Sequence, residues 1–169
     1  MTSRIVCQSH PRLGLMGNPM DAIGGAAVSV TFRDFEAEAV LEPHERIRLV
    51  EPDSERPEWD SLEALERHVA RLGFHGGRRL MSALLVRLGR HARERGLAIP
   101  GRGLSLTWRS TIPPRVGLAG SSALITAALR AVLQHWSLGI PLLDQVEIVL
   151  STERDELKIP AGPQETRQT

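Results

Sequence analysis

At 169 residues, with 41% apolar and 24% charged side chains, the chain can enclose one sizeable core and has the make-up of a soluble globular domain. Its 21 basic and 20 acidic groups leave a formal charge of +1, which gives no electrostatic ground for a nucleic-acid or membrane partner. Cys7 is the one cysteine, so a disulfide scaffold is excluded. The first residues lack the apolar core of a signal peptide, and no apolar stretch is long enough to span a bilayer; a cytoplasmic location is expected.

Residues 1–50 read as β-rich. Ile5-Val6-Cys7 and Leu13 to Met16 are short apolar runs. Ala27 to Phe32 alternates, with Val28, Val30 and Phe32 on one side, and Glu36 to Leu41 and Arg46 to Val50 alternate again. Together they suggest an antiparallel meander. Asn18-Pro19 and Gly24-Gly25 are turn signals that place Asp21 in an exposed loop between strands.

Pro52 to Pro57 is a charged loop. Asp60 or Ser61 can cap a helix carrying Leu62, Leu65, Val69 and Leu72 on one face, ended by Gly73 and Gly76-Gly77. A longer amphipathic helix follows over 78–95, with Leu80, Met81, Leu84, Leu85, Leu88 and Ala92 inward and a solvated face of arginines (Arg79, Arg87, Arg90, Arg93). After the Gly101 to Gly103 break, Leu104 to Trp108 alternates as a strand. The next helix is apolar almost all round and therefore buried, with His135 and Trp136 as packing residues near its end. Gly139 and Pro141 stop it, and a last helix is expected from Leu142 to about Leu157, with Leu143, Val146, Val149 and Leu150 on the core side.

The most informative stretch is Pro113 to Ala128, where a proline pair, two glycines and paired serines open the buried helix. Gly117 and Gly120 allow a tight turn and a close backbone approach, and Ser121 or Ser122 can start the helix through its hydroxyl. A helix start with unpaired N–H groups and a positive dipole end suits phosphate, although the same residues also describe a plain capped helix. There is no Gly-Lys-Ser/Thr ending, so this is not a Walker A loop.

Pro114-Arg115-Val116-Gly117-Leu118-Ala119-Gly120-Ser121-Ser122-Ala123 resembles the second signature of the GHMP kinases, the superfamily of galactokinase, homoserine kinase, mevalonate kinase and phosphomevalonate kinase. The usual form is Pro-x-x-x-Gly-Leu-Gly-Ser-Ser-Ala; an extra residue between Leu and Gly resembles the glucuronokinases. Pro11 to Gly25 resembles the first signature, with Asn18-Pro19 in place of Glu-His, again as in the glucuronokinase variant. Thr152 to Gln164 resembles the glucuronokinase-like region Ala-Glu-x-Glu-Leu-Gly-Ile-x-Ala-Gly-Leu-Gln-Asp. Three matches in order, over roughly residues 4 to 165, are far more specific than any one.

The resemblance implies an α+β fold, that of the GHMP N-terminal domain and similar to domain 2 of ribosomal protein S5, over residues 1–169. It implies ATP and Mg²⁺ as cofactors. The phosphates would lie on Pro114, Gly117, Leu118, Ala119, Gly120, Ser121, Ser122 and Ala123, and the metal on Ser122 and a later glutamate, Glu153, with Glu156 as the alternative. Arg12, Asn18 and Asp21 would face a sugar acceptor, with Arg12 also catalytic. The family's catalytic aspartate falls on Glu165, whose extra methylene moves the carboxylate by about a bond length, and misplacement of roughly 1 Å can cost about a hundredfold in rate. No third, Gly-rich signature follows, so the first domain only is expected, with a homodimer or a separate C-terminal-domain chain as possible partners. The implied activity is transfer of the γ-phosphoryl group of ATP to a sugar hydroxyl, the 1-OH of a glucuronate-like sugar being favoured. A homologue that binds nucleotide without appreciable turnover is the alternative, and an S5-like nucleic-acid module a remote one.

Overall fold

Alternation of side chains builds the main sheet. In the computed structural model, which describes residues 4–17, 26–51 and 56–159, strands β1 (Ile5–Ser9), β4 (Ala37–Pro43), β5 (Ile47–Val50), β6 (Glu58–Trp59) and β7 (Leu104–Ser110) form one five-stranded sheet in the order β1-β4-β7-β5-β6. β2 (Arg12–Met16) and β3 (Val28–Thr31) form a separate antiparallel hairpin. Ala37, Ala39 and Leu41 on β4, Leu104, Leu106 and Trp108 on β7, and Ile47 and Leu49 on β5 all turn to the covered face. The mixed α/β architecture agrees with the expected fold class.

The expected meander is not what forms. β7 inserts between β4 and β5, antiparallel to the first (Leu41 opposite Leu106) and parallel to the second (Leu49 opposite Leu106). Alternation records which side chains face the core, but not which edge a strand pairs with. β7, apolar and long, takes the central place where its backbone groups pair on both sides.

Four helices, α1 (Leu62–Leu72), α2 (Arg79–Glu94), α3 (Gly120–Trp136) and α4 (Leu142–Ser151), pack their apolar residues with the covered face of the sheet into one core. α3 supplies most of it, with Ala123, Ile125, Ala127, Ala128, Leu129, Ala131, Val132 and Leu133 all buried. At its far end the Trp136 indole donates to the Arg102 carbonyl (3.0 Å), and His135 Nε2 lies 3.0 Å from the Gly103 carbonyl. These two side chains pack, as expected, and fix the entry to β7. Among the described residues no helix is long and apolar enough to cross a membrane.

Two helix readings need correction. α4 ends at Ser151 and gives way to a π-turn, Thr152–Glu156, rather than running as one helix to Leu157. Leu143 is 80% exposed and faces away from the core, which takes Val149 and Leu150 as expected and Ile148 besides. Leu72, at the frayed end of α1, is also exposed. The arginine face of α2 is met by carboxylates: Arg87 by Glu94, Arg90 by Glu156 and Arg93 by Glu66.

The hairpin has its apolar face outward. Leu13, Leu15, Met16, Val28 and Val30 are all exposed, between 41% and 71%, and Leu13 lies opposite Val30 and Met16 opposite Val28.

Ser61 is the N-cap of α1. Its hydroxyl accepts from the Ala64 amide (3.2 Å), and its hydrogen bond to Glu63, with that residue's own amide, holds the Glu63 carboxyl below its ordinary range. We predict that Ser61→Ala lowers unfolding stability by about 1 kcal/mol in urea titrations at neutral pH. A depressed carboxyl stabilises the fold above its unfolded pKa and loses that effect as pH falls through the folded value. The deficit of the variant should therefore shrink in acid.

Candidate active site

The serine pair and the later glutamate meet at the start of α3. The Ser121 hydroxyl donates to Glu153 Oε1 at 2.6 Å, and the Ser122 hydroxyl to Glu153 Oε2 at 2.7 Å. Glu153 is 1% exposed, and Ser122 also 1%. Of the two glutamates, Glu153 is the one that meets the serines; Glu156 pairs instead with Arg90 (2.6 Å).

The serines do not start the helix. Ala119 stands at its N-cap position with φ 53° and ψ 39°, and no side chain caps the end. The first helical bond runs from the Ala123 amide to the Ala119 carbonyl (3.0 Å), so the amides of Gly120, Ser121 and Ser122 precede the first bonded turn and lack helical partners. Ser121 and Ser122 sit within that turn, their hydroxyls committed to Glu153. An uncapped helix end retains both its free N–H groups and its positive dipole end for an anion.

Positive φ falls at alternate positions of the loop leading there: Arg115 (61°), Gly117 (77°) and Ala119 (53°). Gly120, for which the sequence suggested that freedom, is helical; the left-handed position belongs to Ala119, the residue added between Leu and Gly. Left-handed backbone costs a residue with a Cβ about 1–2 kcal/mol, and such strain clusters at ligand-binding segments. A Cβ at Gly117 would meet nothing within 4 Å, so this side of the loop is open. Pro114, Arg115, Val116 and Gly117 are exposed, Leu118, Ala119, Gly120 and Ser121 half-buried, and Ser122 and Ala123 buried.

Arg12 lies at the base of β2. It is 6% exposed, and its amide donates to the Leu118 carbonyl (3.3 Å), tying the first motif to the phosphate-type loop. The structure thus brings together Arg12, the loop 114–123 and Glu153. Asn18, Asp21 and Glu165 lie outside the described residues.

The donor set suits a hard cation. A buried carboxylate is costly unless it is paired, and among the described residues the Glu153 carboxylate has two neutral hydroxyls as partners and no cation. No group of three or more His, Cys, Asp or Glu side chains that could hold a metal occurs among the described residues. Mg²⁺ is commonly bound by one or two carboxylates together with substrate phosphates and water, and Ser122 with Glu153 fits that mode beside the helix start. The π-turn that carries Glu153 was not legible in the sequence; such turns are rare and frequent at functional sites.

The fold has counterparts among solved structures. Solved structures of kinases share it: Lactococcus lactis galactokinase complexed with galactose (TM-score 0.76, 21% identity, 96% of this chain and 40% of that one) and Methanococcus jannaschii mevalonate kinase (TM-score 0.74, 14% identity, 97% of this chain and 51% of that one). Residues 80–166 match the GHMP kinases N-terminal domain model, and the chain belongs to that family. It is 34% identical to Glucuronokinase 1 of Arabidopsis thaliana over 97% of its own length and 46% of the relative's, and 32% identical to Probable glucuronokinase 2 of the same plant over 94% and 44%. The chain therefore spans less than half the length of these curated relatives.

We predict that Glu153→Gln abolishes any upward shift of the melting temperature on adding millimolar Mg²⁺ with nucleotide, while the metal-free protein keeps or gains stability, because a buried charge has been removed. Differential scanning calorimetry with and without a chelator reads both effects. A Mg²⁺-dependent shift that survives in Glu153→Gln would sink the metal role.

Proposed function

We propose that this chain provides the phosphate-binding portion of an ATP-dependent sugar kinase, with the 1-hydroxyl of a glucuronate-like sugar as acceptor. One observation carries the reading: two serine hydroxyls and a buried glutamate converge at an uncapped helix start. The curated relatives, named as glucuronokinases, support the substrate class.

In this reading the free amides of Gly120, Ser121 and Ser122 and the α3 dipole bind phosphate oxygens. Ser122 Oγ and Glu153 would hold Mg²⁺, which when bound neutralises charge on the transferring phosphoryl group. Arg12, Asn18 and Asp21 orient the sugar. Glu165 accepts the proton of the attacking hydroxyl as the new O–P bond forms and ADP departs. Positioning and charge stabilisation supply most of the catalysis in such transfers. A second reading, nucleotide binding without appreciable turnover, is favoured by Glu165 in place of aspartate.

Calorimetry with Mg-ATP separates these from a helix start that binds no ligand. We predict measurable binding by the 169-residue chain and at least a tenfold weaker association for Ser122→Ala, equal to about 1.4 kcal/mol. No heat, or no change on substitution, would remove the phosphate assignment. A coupled assay for ADP release with glucuronate then tells a kinase from a binding homologue.

The outward apolar face of the β2–β3 hairpin supports a protein partner there, either a second copy or a polypeptide corresponding to the rest of a relative. Apolar patches of this kind mark interaction surfaces. We expect the isolated chain to self-associate with rising concentration in sedimentation velocity, and Leu15→Glu combined with Met16→Glu to restore the monomer. A wild-type chain that remains monomeric at high concentration would refute the second-copy arrangement.

A further inference from the structure

We propose that Arg90, on α2 and remote from the loop, is a positioning residue that sets the Glu153 carboxylate by clamping the other side of the π-turn. The inference rests on the reading of Ser122 and Glu153 as the metal-nucleotide site and adds a residue to it.

Thr152–Glu156 is held by two helices at once. Glu153 bonds to both serines of α3. Three residues on, Glu156 bonds to Arg90 Nη1 at 2.6 Å, its side chain 5% exposed while that of Arg90 is 51% exposed. The cation thus reaches down from the surface of α2 to a carboxylate that is out of water. The winding between these anchors is wide: the Leu157 amide donates to the Thr152 carbonyl five residues back (3.2 Å), and the Ile159 amide to the Glu153 carbonyl (2.8 Å). A π-turn is uncommon and occurs mostly as a single turn, so the alternative winding for Thr152–Glu156 is the regular α-helix of α4 continued. That rewinding would rotate Glu153 relative to α3.

Arg90 opposes it. While Glu156 must stay beside the guanidinium, the turn cannot tighten without breaking a charged hydrogen bond at a buried carboxylate, which is among the costlier contacts to lose. Nearby charges do not replace the clamp. Arg154, the cation on the turn itself, is engaged outward by Asp155 and Glu147, and Arg87 by Glu94. Arg90 bonds to Glu156, whereas Glu153 bonds to the serines, so Arg90 acts on Glu153 through the turn between them.

The test compares wild type, Arg90→Ala, Arg90→Lys and Ser122→Ala by titration calorimetry with ATP in excess Mg²⁺ and with ATP in chelator, alongside amide hydrogen exchange. Arg90→Ala should weaken Mg-ATP binding at least tenfold and leave metal-free ATP within twofold of wild type. It should also speed exchange at Leu157 and Ile159 and leave β4 and β7 unchanged. Arg90→Lys, which keeps a charge able to make the single contact, should recover most of both. Equal losses with and without metal, or exchange faster throughout the sheet, would mark Arg90 as a general stability residue and overturn the proposal. Wild-type Mg-ATP affinity in Arg90→Ala would overturn it too. The underlying reading fails separately, when Ser122→Ala matches wild type; in that case the exchange rates at Leu157 and Ile159 still decide whether Arg90 clamps the turn.

Discussion

A buried carboxylate must find partners, and the requirement at Glu153 governs this half of the molecule. The group sits 1% exposed between two hydroxyls. Two serine bonds replace only part of the solvation an ionised carboxylate has in water. Three arrangements follow. The serine pair must be rigid, and it is, since the first turn of a helix buried almost all round carries it. The glutamate must be delivered from a separate element, which the π-turn does after α4. Finally the remaining electrostatic deficit is left on the side of the uncapped α3 start, which is where the proposed function puts a cation and phosphate.

The missing cap belongs to the same logic. In α1, a helix with no role at the site, Ser61 closes the N-terminus through its hydroxyl. In α3 two serines stand in the first turn with hydroxyls of the same kind, yet neither caps, because Glu153 takes both. A residue type that ends a helix economically elsewhere is here diverted to hold a carboxylate, and the helix start is left unsatisfied. Local consistency is given up here, a departure of the kind natural sequences make at functional sites. The left-handed Ala119 is a second such departure, a strain that a glycine would have avoided.

Much of this was legible beforehand, and the limits have physical causes. The covered faces of β4 and β7, the long amphipathic α2 and the buried α3 follow from periodicity, because the period is fixed by the backbone. The strand order did not, since no side-chain pattern says that β7 divides β4 from β5. The outward apolar face of the hairpin was read as strand alternation but not as exposure: Val28 and Val30 alternate as core residues do, and only the tertiary packing leaves them uncovered. The site was legible by motif rather than by physics. Glycine and serine spacing alone fitted a plain capped helix better than a phosphate site, and the separate resemblances near Asp21 and Gln164 changed that weighting.

The ambiguity between Glu153 and Glu156 shows most plainly why sequence stops short. On a regular α-helix residues three apart share a face, so either glutamate could have been offered to the serines and the other would have crowded beside it. The wider winding of the π-turn splays the pair, giving one carboxylate to α3 and the other to α2. The like charges are thereby separated, and each acquires partners of a different kind: hydroxyls for the one that faces the phosphate loop, a guanidinium for the one that faces away. Neutral partners leave the Glu153 charge available to a divalent cation, whereas an arginine there would already have cancelled it. The turn therefore sorts two chemically identical residues between two helices, one held by the α3 serines and one by Arg90 of α2, and that sorting depends on backbone winding that no local propensity encodes.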